Sequence, residues 1–405
     1  KKKKKKKKEK EEEVDEVDYS KYEGTIESTV EQLLNTQIIA FYEESRLDET
    51  ETKEQEKVMA LLPPLIQSIF QEEGVTLDLF GSSVSGFGTK NSDMDVCLRM
   101  TGELEEKNKE MIRQAELQRS IVRKLSRVIR KEAKEKGYYD IQAIPFAKVP
   151  IVQFSMKLPK GRSVQVDISV YNELPIYNTR LLRKYCQCLS PGQLTTLGIF
   201  VKHWAKSCDI GDASKGSLSS YAYIIMLIHF LQRTEPPLLP FLQEMGEKRE
   251  EIVMGHNVYF FDGPFTITPN SLNSAQLFFR FLQFYATFDW KEQVVQIRTS
   301  EIVKKEDTKW KNSLMVIQDP FDLDHNLSKR VGKWVFHNID GAFKRSTLFF
   351  LNDALNSPSN AFSLLMKKMT EEARREKQKR LKESREKLKK KMEMKRKEEE
   401  KNMRG

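Results

Sequence analysis

Leu79-Phe80-Gly81-Ser82-Ser83-Val84-Ser85-Gly86-Phe87-Gly88 is followed, two residues later, by Asn91-Ser92-Asp93-Met94-Asp95-Val96-Cys97-Leu98. The first run closes a strand-like segment, Val75 to Phe80, on a Gly-Ser-Ser turn. The second alternates: successive side chains of an extended chain face opposite ways, so Asp93 and Asp95 share one face and Met94, Val96 and Leu98 the other. Adjacent carboxylates repel, and a divalent cation between them relieves the repulsion. A second alternation follows in Val164, Val166, Ile168 and Val170, which leaves Gln165, Asp167 and Ser169 opposite. If these two strands are neighbours, three carboxylates meet on one polar surface.

Three such oxygen donors suit magnesium, which keeps several waters and takes further ligands from phosphate. Gly81 and Ser82, at the strand end, would offer backbone N–H groups and a hydroxyl to that phosphate, glycine permitting close approach. Together these features describe a two-metal phosphoryl or nucleotidyl transfer site. Taken singly, an Asp-x-Asp is ordinarily an exposed strand or loop, and a Gly-Ser turn is commoner still. The combination is what carries the reading: strand, Gly-Ser turn, amphipathic Asp-x-Asp strand and a third Asp on another strand.

Outward from this centre, further strands are expected at Asp93 to Met100, Tyr138 to Ala143, Val149 to Met156 and Val164 to Val170, with a long charged helix from Glu103 to Lys134. Before it, helical spacing covers Tyr22 to Phe41 and Glu51 to Gln71, the latter interrupted at Pro63-Pro64. Beyond Asn172 the pattern is helical, over Leu181 to Cys188, Gln193 to Ser207, Ser219 to Gln232 and Ser274 to Tyr285. The stretch from Met366 onward is nearly all Lys, Arg, Glu and Met, with Glu preceding Lys at i,i+4, as a solvated helix would have it.

Charge has to be located before it is used. The 405 residues carry 69 basic and 59 acidic side chains, net +10. Residues 1–13 hold nine Lys and four Glu, and residues 367–405 hold eighteen basic and nine acidic side chains. Residues 14–366 therefore keep 42 basic and 46 acidic groups, net −4, and the excess positive charge sits at the two ends. Basic ends attract any polyanion without selecting one. No apolar run approaches the roughly 18–20 residues of a membrane span, and four cysteines are too sparse for a disulfide framework. Neither an RRM signature, a zinc knuckle nor a basic-aromatic groove is evident.

The passage from Gly81 to Asp95 resembles the nucleotidyltransferase signature of terminal uridylyltransferases and noncanonical poly(A) polymerases. The likeness continues through Val166-Asp167-Ile168, Asn178-Thr179, Val201-Lys202-His203-Trp204-Ala205-Lys206, Gly216-Ser217-Leu218-Ser219-Ser220-Tyr221 and Asp319-Pro320-Phe321-Asp322-Leu323-Asp324-His325-Asn326. It runs in order over roughly residues 25–350. The resemblance implies an α+β, two-lobed nucleotidyltransferase: a mixed-sheet catalytic lobe facing a mostly helical central lobe, with the nucleotide between. The implied division is a charged head at 1–17, a catalytic domain at 55–173, a helical domain from 18–54 and 174–362, and a charged tail at 363–405.

Residue by residue, the resemblance makes Asp93, Asp95 and Asp167 the catalytic, metal-holding carboxylates, for Mg²⁺ or Mn²⁺. Gly81, Ser82, Asn178, Thr179, Lys202, Lys206, Ser220, Tyr221, Asp319, Asp322 and His325 fall at nucleotide-binding positions. Lys202 and Lys206 share a helical face suited to triphosphate, although such a pair is otherwise a solvated face. Tyr221 would stack the base, and Asn178 would bond the ribose 2′-hydroxyl. His325 would lie against uracil and crowd out the larger adenine. The expectation is an RNA uridylyltransferase that adds uridine from UTP to an RNA 3′ end, a monomer, cytoplasmic or else nuclear, with no membrane partner. Protein partners or additional RNA-binding modules are left open. Its rivals are a poly(A) polymerase using ATP, an inactive RNA-binding scaffold and a protein-modifying nucleotidyltransferase.

Overall fold

The computed structural model describes residues 20–67, 69–70, 74–90, 92–100, 115–158, 161–247, 249–267, 270–356 and 362–371, with isolated positions out to 393. The charged head, the first part of the predicted helix from Glu103 and most of the tail lie outside the described residues. Two cores divide the chain. The first is built on five strands: β1 (Val75–Phe80), β2 (Met94–Met100), β3 (Tyr138–Ile144), β4 (Ile151–Lys157) and β5 (Ser163–Val170), in the order β1-β2-β5-β4-β3. Only β2 and β5 run parallel.

The two alternations of the sequence become the inner face of this sheet. Met94, Val96, Leu98, Val166, Ile168 and Val170 are all buried, each contributing roughly 1.5–3 kcal/mol of hydrophobic stabilisation. They pack against α2 (Glu49–Gln67), through Val58, Leu62, Leu65 and Ile66, and against α4 (Ala115–Lys136), through Ile121, Val122, Leu125 and Ile129. Between β1 and β2 stands a short α3 (Ser82–Ser85). Pro63-Pro64 does not interrupt α2: two amide donors are lost, but burial of Leu62, Leu65 and Ile66 on either side holds the turn. Arg162, between β4 and β5, pairs with Glu51, at 2.6 Å, and with Glu54, fastening α2 to the sheet.

The second core is helical and rich in aromatic rings. It joins α1 (Ser28–Ser45) to α5 (Leu174–Tyr185), α6 (Gln193–Ser207), α7 (Ser220–Leu231), α8 (Ser274–Ala286) and α9 (Lys333–Leu348), around the fully buried Trp204, Phe278, Phe281 and Phe343. Three sequence expectations change here. α5 begins at Leu174 rather than Leu181, because Pro175 in its first turn supplies a ready-made φ. α9 had no counterpart in the sequence reading, since its apolar residues are interleaved with Lys, Asn and Asp. Phe362, Leu365 and Met369 pack into the helical core, so the chain past residue 363 begins as part of that lobe. Among the described residues no helix is long and apolar enough to cross a membrane.

One link between the two cores is a single aromatic side chain. Phe87, which follows α3, is buried in the helical core although the strands flanking it belong to the sheet. Gly198 on α6 makes room for it, as a Cβ there would come within 2.3 Å of the ring.

Candidate active site

β2 and β5 are adjacent and parallel, and their register sets Asp95 directly opposite Asp167. Asp93 stands just before β2, on the same side as Asp95 and more exposed. Burial raises the pKa of all three carboxyls. Asp95 is pushed up to about 7, by burial first and then by the charges of Asp167 and Asp93. Asp93 and Asp167 are raised in the same way, Asp93 partly by Asp167's charge. No Lys or Arg is among the groups that shift any of them. Among the described residues, their like charges are thus concentrated in a half-buried place without a protein cation to answer them.

That donor set fits a divalent cation. Among the described residues no three His, Cys, Asp or Glu side chains close by themselves on one metal point. Magnesium is ordinarily held by one or two carboxylates together with water and substrate phosphate, which an open carboxylate face of this kind matches.

Gly81 abuts this face. Phe80 is the register partner of Asp95, and the chain then turns at Gly81 with φ +81°. A Cβ at Gly81 would lie 2.3 Å from Asp95 Oδ2, so both conformation and space demand glycine. Its N–H, expected to meet a phosphate, instead donates to Thr179 Oγ1 at 2.8 Å. Thr179 in turn donates to Pro175 O at 2.7 Å and is buried, so its hydroxyl clamps the lobes together rather than facing a nucleotide. The Ser82 and Ser83 amides, in the first turn of α3, have no intrahelical carbonyl available to them.

Across from the sheet, three elements of the helical lobe meet at Asp319. Asn178 Nδ2 on α5 and the Tyr221 hydroxyl on α7 each reach Asp319 Oδ2 at 3.4 Å. Asp319 Oδ1 accepts from the Phe321 and Asp322 amides at 2.9 and 3.0 Å. Asp319 is 5% exposed, which sets it behind Asn178 and Tyr221 as their anchor. Asn178 Oδ1 is buried with no hydrogen-bond partner among the described residues, an acceptor left for something else. The amide of Asp319 donates to His325 O, and that of His325 to Asp322 O, which holds the His325 loop in a tight turn. His325 is half-buried; burial lowers its pKa, as does Lys148 from the β3–β4 loop of the other lobe. The two lobes thus face one another at this histidine.

The lysines behave differently from each other. Lys202 Nζ donates to Phe87 O at 2.7 Å, and burial, with help from Lys206, pushes its pKa down to about 8. Lys206, one turn on, is exposed, as is Ser220 in the first turn of α7.

Sequence reasoning missed Gln153 and Gln165. Gln153, the β4 register partner of Asp167, places its amide 3.1 and 3.2 Å from the two Asp167 oxygens, and Gln165 adds a bond at 3.2 Å. Gln165 was legible two residues before Asp167 on the same face, whereas Gln153 required the strand register.

Residues 34–187 match the family model of the central palm domain of mitochondrial-like poly(A) RNA polymerase, and residues 273–325 that of Cid1 family poly A polymerase. The fold matches the Cid1 poly(U) polymerase with a TM-score of 0.69 at 27% identity, over 82% of this chain and 98% of that one. The chain belongs to the family of terminal uridylyltransferases and noncanonical poly(A) polymerases. Its architecture is accordingly the α+β, two-lobed nucleotidyltransferase fold of that family. It is 42% identical to terminal uridylyltransferase 7 of Homo sapiens over 67% of its own length, and 33% identical to the poly(A) RNA polymerase GLD2 of Mus musculus over 71%. It spans only 18% of the first of these family members and 58% of the second.

Proposed function

We propose that this chain adds uridine from UTP to the 3′ end of RNA without a template. The observation that carries the reading is the pairing of Asp95 with Asp167 across two parallel strands, with Gly81 pressed against Asp95. Asp93, Asp95 and Asp167 would hold magnesium or manganese ions, which neutralise charge between the carboxylates and a triphosphate. The Ser82 and Ser83 amides and the Ser82 hydroxyl, at the turn after β1, receive phosphate oxygens. Lys206, exposed on α6, and Ser220 extend that reception to the outer phosphates. Lys202 holds Phe87 and, with a pKa near 8, contributes part of a positive charge beside them.

The RNA 3′-oxygen attacks the α-phosphorus in line. A new P–O bond forms, the bond between the α-phosphorus and the bridging oxygen breaks, pyrophosphate leaves, and the hydroxyl proton passes to water. Asp167, held at both oxygens by Gln153 and at one by Gln165, orients the attacking hydroxyl. On the opposite wall, Asn178 and Tyr221 are fixed by Asp319; a ribose hydroxyl would donate to the unpartnered Oδ1 of Asn178, and a base would stack on the tyrosine ring. His325, backed by its own loop and facing Lys148, occupies the width that a purine's second ring needs.

The preference for UTP over ATP is supported by His325 and by the greater identity to the human terminal uridylyltransferase than to the mouse poly(A) polymerase. Extension of an unstructured RNA primer with each ribonucleoside triphosphate and magnesium tests it. UTP is expected to be incorporated fastest, and His325→Asn to raise ATP use relative to UTP by about ten-fold or more, since even a methylene's difference in fit to a pocket is worth roughly 1–3 kcal/mol. A wild-type preference for ATP would make the chain a poly(A) polymerase of the same scaffold, and label appearing on protein would exclude RNA as the acceptor.

A further inference from the structure

Phe146, in the β3–β4 loop, is 73% exposed, the most exposed large hydrophobic residue among those described. It is flanked by two arginines of α4, with the Arg119 guanidinium 5.3 Å and that of Arg123 5.4 Å from the ring centroid. The sequence showed no basic-aromatic groove, and this cluster is the correction: α4 packs on the sheet so that its N-terminal half lies beside the loop that follows β3.

The arginines begin a longer stripe. α4 carries eight basic and three acidic residues. Its apolar side, Ile121, Val122, Leu125 and Ile129, is buried against the sheet. Arg123, Arg127, Arg130 and Lys134 continue outward at helical spacing and are exposed, over about 22 Å counted from Arg119 at 1.5 Å per residue. Among the described residues neither Arg119 nor Arg123 has a carboxylate partner. The body of the protein is net acidic, so this stripe is a local inversion of charge. The loop bearing Phe146 also carries Lys148, whose charge reaches His325. The stripe therefore starts beside a loop that also carries a charge toward the proposed nucleotide cleft.

We propose that Arg119, Arg123 and Phe146 form a platform for single-stranded RNA, with a base stacked on the phenylalanine and the backbone phosphates running along α4. The chemistry is that of sequence-tolerant single-strand binding: an exposed ring accepts any base by stacking, and guanidinium groups beside it meet phosphates or stack in turn. A rigid duplex would gain little, because its bases are not free to stack. The platform rests on the reading that RNA is the acceptor. It adds to that reading the path that holds the strand outside the cleft.

The test uses the full chain, with anisotropy of a labelled, unstructured RNA of ~20 nucleotides, long enough to pass beyond the few nucleotides of one stacking site. No nucleotide is added, so binding is read apart from transfer. Phe146→Ala is expected to weaken binding by about ten-fold or more, and Phe146→Tyr to retain it, as stacking on either ring is worth similar energy. Arg119→Ser with Arg123→Ser should reduce the slope of log affinity against log salt by about 1.4, the single-strand value for two phosphates. The KM for the long RNA should rise in step in Phe146→Ala, far more than that for a trinucleotide primer. Unchanged RNA affinity in Phe146→Ala overturns the platform, as does an equal loss on both primers. Impaired binding to anionic vesicles with RNA binding intact overturns it too, and assigns the patch to a membrane surface. If the wild-type chain binds RNA through Phe146 but transfers no nucleotide to it, the proposed function falls and the platform stands.

Discussion

Asp95 and Asp319 are both withdrawn from water, and burial raises the pKa of each, but their surroundings answer the charge in opposite ways. Asp319 accepts from two backbone amides, an asparagine amide and a tyrosine hydroxyl. Asp95 faces Asp167 and Asp93 and has no basic group among its perturbers. A satisfied buried carboxylate fixes geometry: it ties α5, α7 and the His325 loop into one wall. A cluster of carboxylates stores like-charge repulsion that the neutral amides beside Asp167 do not cancel and that a proton or a metal cation relieves. The helical lobe is thus built to hold still, and the catalytic lobe is built to accept charge.

The sharpest way to break this comparison is Asp95→Asn. Activity should fall by on the order of 10³-fold or more, as happens when a group that stabilises transition-state charge is lost. Stability should move the other way. The Asp95 carboxyl is raised from 3.8 to about 7 in the folded state, so between those values the folded protein keeps a proton that the unfolded chain has released. Its contribution is full at low pH and is lost as pH rises toward 7. In chelator at pH 8 the Asn variant should therefore melt higher than wild type, and at pH 4 no higher. A lower melting temperature at pH 8 would show that Asp95 is compensated after all.

Gly81→Ala is expected to come next. The new Cβ meets Asp95 Oδ2 at 2.3 Å in a left-handed conformation, so the carboxylate must move. A misplacement of about 1 Å costs roughly 10²-fold in rate, and the backbone strain of a non-glycine residue at φ +81°, ψ −156° adds about 1–3 kcal/mol. Steady-state kinetics with melting curves check both, and near-wild-type kcat would mean that Asp95 is not held where its carboxylate matters.

The smallest expected effect is at the seam. Thr179→Val leaves the half-buried Gly81 N–H without its acceptor, costing about 1 kcal/mol or somewhat more. Turnover should drop several-fold with the melting temperature, while Thr179→Ser, which keeps the hydroxyl, restores both. If the serine variant behaves like the valine one, the methyl group rather than the hydrogen bond is what matters.

Much of the catalytic face was legible because it depends on alternation. Asp95 and Asp167 each sit between apolar residues whose burial is written in the sequence, and Asp93 lies two residues before Asp95 in the same alternation, so the side they face follows. The amphipathic helices were legible for the same reason, whereas α9, with Lys, Asn and Asp among its apolar residues, was not. The partners of those residues were hidden. Thr179 lies 98 positions from Gly81 and Asp319 lies 141 from Asn178. Each side chain looked equally ready for a ligand until the fold showed that Thr179 and Asp319 were already spent. Gln153 and Phe146 went unnoticed because nothing in their own neighbourhoods marks them.

By itself the sequence determined which side chains point together along each strand and helix, and hence the carboxylate pair and the third aspartate, while the two lobes came from the family resemblance. That follows from backbone geometry, which acts between near neighbours and repeats every two or 3.6 residues. Only the tertiary structure decided that β2 lies beside β5 in the register that sets Asp95 against Asp167. It also decided that Thr179 serves Gly81, and that two arginines of a helix close on a phenylalanine from a distant loop. Those choices come from packing whole faces against one another, and the energy that selects among them belongs to the assembled core rather than to any segment of it.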